Sequence, residues 1–599
     1  MTSDGVTTTS RISSVFTASP GGVTICNLAP PSLVGGVGPA VYRVGVSAII
    51  DPGASQNYGE VFTRRWVVDV LLDLTGYRVE RDLGALTAVE PSAGSGAFLV
   101  PMVERLIVSA AAHGRDLRTL GHAIRAWELQ SGNVVALRSL VSERLTDAGI
   151  PEIDARHLAR EWIVEGDFLL PPGEDLLTNG DDPVRADVVV GNPPYIRFDD
   201  LDDALAREYR RRWSTMAGRG DIYVGFFERG MQLLRPGGRL GFICADRWMR
   251  NAYGARLREL ISEQYSVETV WQMHDVDAFE ADVSAYPAIT VLANRKQGEV
   301  VVVEADDGFG PASAREVINF AASGADETSG PGFSAARLES WFEGADLWPA
   351  GGPRVIRLLE DLNERFPALE QTGHDTRISI GVATGADKAY VVTPGSVDVE
   401  ADRITPLVMA DDIRSGRLTT PRKVLINPWD ERGQLVDINR YPRMARTLAG
   451  HPSVVGRFVA RRNPAAWFRT IDKVYPGLAE RPKLLLQDMK AHITPVLEPG
   501  GLYPHHNLYY IVSTDWDLEI LGGLLLSRIA EAFIAAYGVK MRGGTLRFQA
   551  QYLRKIRVPA PEDIPKEVAD RLRAAFRAYD RDAATRAAEA AYGLPEGYL

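Results

Sequence analysis

The chain has 599 residues, 45% of them hydrophobic, and a formal charge of −11 at pH 7, long enough for several domains with sizeable cores. No apolar run of about 18 residues or more occurs, which argues against a membrane-spanning helix, and two cysteines, Cys26 and Cys244, supply neither a disulfide framework nor a zinc set and fit a reducing cytoplasm. The acidic balance does not exclude a nucleic-acid partner, because binding depends on where the cations sit and not on their sum.

Residues 1–45 are rich in Ser, Thr, Gly and Pro without the charged-then-apolar layout of a signal peptide, and read as a partly ordered arm. Ala85 to Val89 reads as a buried strand running into Glu90-Pro91-Ser92-Ala93-Gly94-Ser95-Gly96, followed by a helix from Val100 to Ala112. Strand, glycine turn and helix open a nucleotide-binding α/β sheet. Gly94 and Gly96 let the backbone approach a ligand where a Cβ would clash. The Gly-x-Gly-x-x-Gly spacing of dinucleotide folds and the Lys-Ser/Thr of a triphosphate loop are both missing. An acid, Glu90, at the strand end instead suits a cationic, amino-acid-bearing nucleoside such as S-adenosylmethionine.

Two further strands are expected to end on acids. His122 to Glu128 places Glu128 where it can accept from both ribose hydroxyls, as Asp or Glu does in dinucleotide folds. Glu161 to Phe168 places Asp167 where it can accept from an adenine amine while Phe168 packs on the ring. Singly, each acid is more simply a helix cap or turn residue; three in succession, followed by the next strand, fit that reading poorly. That strand is Ala186-Asp187-Val188-Val189-Val190-Gly191, a short β-branched run of the kind buried on both faces. It ends in Asn192-Pro193-Pro194-Tyr195. Two prolines remove two N–H donors and fix φ, so the Asn192 amide oxygen and neighbouring carbonyls stand as acceptors beside the Tyr195 ring. Such a site suits a flat group bearing an NH2.

Ala305 to Gly332, rich in Gly, Ala, Ser and Asp, and Trp348 to Pro353 read as the region of a domain boundary, with an amphipathic helix from Val355 to Phe366 opening the second domain. Basic residues gather from Arg443 to Lys490, including Arg461, Arg462 and Lys483. They gather again at Lys540, Arg542, Arg547, Arg554, Lys555 and Arg557 with no acid interleaved. Trp467, Phe468, Phe548 and Tyr552 sit among them, a mixture suited to gripping phosphates; a solvated charged face is the plainer alternative. Ile564 to Tyr592 reads as one Ala/Arg/Glu-rich helix.

In these motifs and their order the chain resembles the gamma-type N6-adenine DNA methyltransferases of type II and type IIG restriction–modification systems. The resemblance covers most of the chain. It implies an α/β S-adenosylmethionine-dependent (Rossmann-like) methyltransferase sheet over residues 46–345 and a separate mixed α/β target-recognition domain over 346–599. Asn57 to Arg64 resembles the family's N-terminal cofactor segment, placing Phe62 and Thr63 at the donor with Glu90, Pro91, Ala93, Gly94, Gly96, Glu128, Asp167, Phe168 and Asn192. Asn192, Pro193, Pro194 and Tyr195 are the implied catalytic loop. Phe279, opening a hairpin that runs to Leu292, is the implied second aromatic against the base. Glu280 replaces the usual proline after it, and Tyr286 competes for the role. Asn before Pro-Pro leans to adenine.

The expected activity is methyl transfer from S-adenosylmethionine to a flipped-out adenine in double-stranded DNA, in a restriction–modification or phage-defence setting. Arg461, Arg462, Lys540, Arg542 and Arg547 would meet the duplex; no metal and no membrane are expected, and a separately encoded endonuclease or defence-complex subunit is a conceivable partner. An RNA-adenine or protein-glutamine methyltransferase of the same fold is the alternative, as is a methylation or recognition subunit of a larger complex. Fewer than 60 residues precede the cofactor segment, so no fused nuclease is expected.

Overall fold

The computed structural model describes residues 63–170, 185–280, 286–371, 374–538, 540–541 and 545–599, without the side chains of 540, 541 and 545. Among these a large sheet is built from β1 (Ala88–Glu90), β2 (Ile124–Glu128), β3 (Ile163–Glu165), β4 (Ala186–Gly191), β5 (Leu234–Ala245), β6 (Ser266–Gln272), β7 (Pro287–Ala293), β8 (Val300–Ala305), β9 (Glu327–Gly330) and β10 (Phe333–Leu338). Their order is β3-β2-β1-β4-β5-β7-β6-β8-β10-β9.

The first five strands are parallel; β7 enters antiparallel between β5 and β6. Parallel strands need cover on both faces, and β4 shows how the sequence provides it. Val188 and Val190 point into one apolar cluster and Val189 into the other, all three at most 1% exposed. The first cluster holds helices α1 (Arg65–Leu74) and α2 (Leu99–Ala112); the second holds Phe227, Met231 and Leu240.

From β1 the chain moves outward to β2 and β3, then returns to lay β4 along the other flank of β1, Ala88 opposite Val188. Strand order reverses there, and the crevice beyond the carboxyl ends of β1 and β4 is where open α/β sheets take ligands.

The structure corrects three sequence expectations. Glu161 and Trp162 end a helix, Glu152–Trp162, and only Ile163–Glu165 is strand. The buried set Ala155, Leu158, Ala159 and Trp162 has helical spacing. Ala305 to Gly332 is no linker: it forms the helix Pro311–Ala322 and strand β9, packed through Ala314, Val317 and Phe320. Gly332 is there for close approach, since a Cβ on it would lie 2.2 Å from the Gly308 carbonyl carbon. The Trp348 segment is pinned, with Trp348 fully buried against Trp248 at 4.8 Å and Ala350 N–H donating to Ala536 O. Third, the C-terminal tail is two helices, Lys566–Ala578 and Arg581–Tyr592, broken where Tyr579 turns left-handed (φ 60°) and Asp580 caps the second.

After the helix Pro353–Arg365 come three smaller sheets, two of four strands and one of three among the described residues.

Candidate active site

Strand β1 delivers Glu90 to the crevice, and the turn after it is held by Ala93 N–H donating to Trp127 O at 2.8 Å. Gly94 (φ 52°) and Gly96 (φ 97°) are left-handed, a region that favours glycine. A Cβ on Gly96 would strike Leu137, whereas one on Gly94 would meet nothing within 4 Å, so Gly94 faces open space. Glu90 is 1% exposed, and its Oε2 has no hydrogen-bond partner among the described residues. Burial first, and then the Glu128 charge, push its carboxyl well above the usual range. A buried carboxylate short of partners, beside an open glycine cradle, fits a cationic ligand such as S-adenosylmethionine.

Glu128 is in a different state. One carboxylate oxygen accepts Gly94 N–H and the other Gln130 N–H, both at 2.7 Å, so it braces the turn. Asp167 accepts from the Tyr209 hydroxyl at 2.6 Å and from Leu169 N–H at 2.8 Å, and burial raises its carboxyl. Phe168 is stacked on Phe226 at 5.3 Å with the Arg229 guanidinium 4.5 Å from its centre, 2% exposed.

Strand β4 delivers Gly191 and Asn192 beside the end of β1. A Cβ on Gly191 would lie 3.3 Å from Pro91 Cδ, so glycine lets the two strand ends close up. The Asn192 carbonyl accepts from Ser92 Oγ at 3.1 Å, and its side-chain NH2 donates to Thr63 Oγ1 at 3.2 Å. Pro193 is buried, and Pro194 and Tyr195 are half-buried. The Tyr195 ring meets Tyr223 edge-on at 6.3 Å. Its hydroxyl has no partner among the described residues, and burial pushes it well above its ordinary value.

Thr63 pairs antiparallel with Phe279, and Arg64 N–H donates to Ala278 O. Thr63, Asn192 and Phe279 are thereby linked. Phe279 is 6% exposed; Tyr286 is half-buried, its ring 4.8 Å from His274. Phe62 lies outside the described residues.

Sequence reading missed Ser92, Tyr209 and a buried ion cluster, Asp246 with Arg250 and His274. The Arg250 guanidinium and the hydrogen bond from His274 overcome burial and hold Asp246 down at about 2. The Asp246 N–H donates to Tyr286 O, tying the cluster to the hairpin. Asp246 and Arg250 are only four positions apart, but the other pairings join residues 28 to 100 positions apart, which no local pattern announces.

The basic stretches divide on folding. Lys483 is fully buried in an ion pair with Glu498, and Phe468, Phe548 and Tyr552 are core residues, so none of the four faces a phosphate. Arg547 pairs with Asp488 at 2.8 Å, Arg554 with Glu370 and Lys555 with Asp346, acids brought from far along the chain. Arg461 and Arg462 are exposed. Lys540 lies on a strand antiparallel to Thr545–Arg547, and Arg542 is outside the described residues.

Residues 162–279 match the family model described as Eco57I restriction-modification methylase. The type II methyltransferase M.XhoI of Xanthomonas vasicola is 41% identical over 90% of this chain and 97% of its own length. M.PaeR7I of Pseudomonas aeruginosa is 41% identical over 91% of this chain and 94% of its own. The solved Type IIL restriction-modification enzyme MmeI, in complex with DNA, shares the fold with a TM-score of 0.51 at 12% identity, over 89% of this chain and 73% of that one. With relatives this similar along nearly its whole length, the chain belongs to the type II DNA methyltransferases of restriction–modification systems.

Proposed function

We propose that the protein methylates the N6 amine of an adenine swung out of double-stranded DNA. The observation that carries this reading is the meeting of two strand ends: Glu90 and the glycine turn on β1 beside Asn192-Pro193-Pro194-Tyr195 on β4, at the point where strand order reverses. S-adenosylmethionine, when bound, supplies a methyl group activated by a sulfonium. Glu90, with the Gly94 cradle, holds the cationic end of that ligand, and Glu128 and Asp167 take its ribose and adenine. Asn192 Oδ1 and the Pro193 carbonyl each accept a hydrogen bond from one N6 N–H, which localises the amine lone pair and stabilises the positive charge growing on nitrogen. Thr63 fixes the Asn192 amide for that task by accepting from its NH2 end. Flipping costs roughly a few kcal/mol, offset by stacking on Tyr195 and on Phe279 or Tyr286, worth about 1–3 kcal/mol per aromatic contact.

Residues 46–345 form the methyltransferase part and 346–599 the part that recognises the target, with Arg461, Arg462, Lys540, Arg542 and Arg547 toward the duplex. The setting is cytoplasmic, with a separately encoded endonuclease as the natural counterpart. Among the described residues no single helix is long and apolar enough to cross a membrane. The test is transfer of a labelled methyl group to duplex DNA, ribosomal RNA and release-factor protein in parallel, followed by sequencing of host DNA for modified bases. Label in DNA as N6-methyladenine is expected; label only in RNA or protein would sink the reading.

A further inference from the structure

The short helix Phe458–Arg462 carries a large aromatic that the fold leaves in solvent: Phe458 is 70% exposed. Arg461 and Arg462 follow it at three and four positions, which puts all three on one helix face. Both guanidiniums are exposed, and no described residue bonds to either. The buried Ala460 marks the other face.

The mount is stiff. The guanidinium of Arg457, just before the helix, donates to Thr384 O at 2.8 Å, Arg469 O at 2.7 Å and Trp467 O at 3.3 Å. It thereby clamps the helix start to two loops.

Charge identifies what the face is for. Between Val455 and Tyr475 the sequence has five cations (Arg457, Arg461, Arg462, Arg469, Lys473) and one acid, Asp472, in a chain of net charge −11. That acid is engaged by Ala383 N–H at 2.9 Å. A second copy of the chain docking the same face would oppose arginine to arginine, since a two-fold contact is self-complementary. A polyanion would not.

We propose that Phe458 is an apolar wedge that enters a base-pair step of duplex DNA while Arg461 and Arg462 hold the flanking phosphates. This rests on the DNA reading above and adds a second place where the protein deforms its substrate, apart from the flipped base. Apolar side chains inserted between base steps unstack them and kink the duplex, while basic neighbours grip the backbone.

The test uses the full chain with S-adenosylhomocysteine and an end-labelled duplex carrying the sequence methylated in the host. Affinity is measured across salt concentrations and bending by energy transfer. The wild type is expected to bind and to bend the duplex by about 20–90°. Phe458→Ala is expected to lose the bend and roughly five- to a hundred-fold in affinity, with melting temperature and cofactor binding unchanged. Phe458→Trp is expected to restore both. Arg461→Ala and Arg462→Ala should keep the bend and each lower the salt slope by about one. A Phe458→Ala protein that binds and bends like the wild type overturns the proposal. So does one whose sedimentation changes while its DNA behaviour does not, because the face then serves a protein. If the wild type binds no duplex at all, the DNA reading itself fails.

Discussion

The two charged regions of this molecule treat charge in opposite ways. At the carboxyl ends of β1 and β2 the chain buries acids, Glu90 and Glu128, and leaves Glu90 short of partners. Beyond residue 440 it collects cations and then neutralises many of them internally, Lys483 with Glu498 and Arg547 with Asp488 among them. A strand end fixes where its side chain sits, so an acid there is placed by topology. A cation on an irregular segment is placed by whichever acid or carbonyl the tertiary fold brings to it. Charge along the sequence is therefore placed by topology in the first region and mostly by tertiary pairing in the second.

That contrast can be broken by mutation. Asn192→Ala should cut methyl transfer by roughly 10²–10³-fold or more, while equilibrium dialysis still finds the donor bound; unchanged turnover would remove the loop from the chemistry. In the second region, Lys483→Ala leaves Glu498 charged and buried, which should cost about 3–5 kcal/mol in denaturant unfolding, with DNA affinity per folded molecule unaltered. Arg461→Ala is its mirror image, expected to leave stability within about 0.5 kcal/mol while weakening DNA binding.

Glu90→Gln sharpens the first half. The Glu90 carboxyl is raised in the folded state, so the stability tied to its neutral form is complete below its ordinary value of 4.5 and is lost as pH climbs through the folded value. The glutamine variant should therefore melt higher than the wild type above that range and equally below it, and should bind the donor about ten- to a hundred-fold more weakly. Asp246 has the reverse sign. Its carboxyl is held at about 2, so its contribution stands above the ordinary 3.8 and is lost as pH falls toward 2. Scanning melts of Asp246→Asn against pH should show a deficit at neutral pH that shrinks in acid.

The parallel part of the large sheet was largely legible because its strands are short apolar runs punctuated by acids, glycines and prolines, each with a local physical meaning. Val188 to Val190 alternate between two cores as period-two burial requires. Reading failed where composition stood in for packing. Ala305 to Gly332 looks like a linker because its residues are small, yet it forms the helix Pro311–Ala322 and the sheet's edge strand β9, and small residues are what let the Gly308 and Gly332 backbones approach. The aromatics Phe548 and Tyr552 look like a nucleic-acid platform among arginines, but an aromatic near a cation in sequence says nothing about which of them turns inward. The His274 partner of Asp246 and the Tyr209 hydroxyl on Asp167 lay beyond any local pattern.

The antiparallel bridge between Thr63 and Phe279 has a thermodynamic corollary. One backbone rung joins the segment that orients Asn192 to the segment bearing an aromatic, so ordering either segment lowers the entropy that the other still has to lose. If donor and extrahelical purine each order their own side of that rung, either ligand should raise the affinity of its companion by one common factor, whichever arrives first.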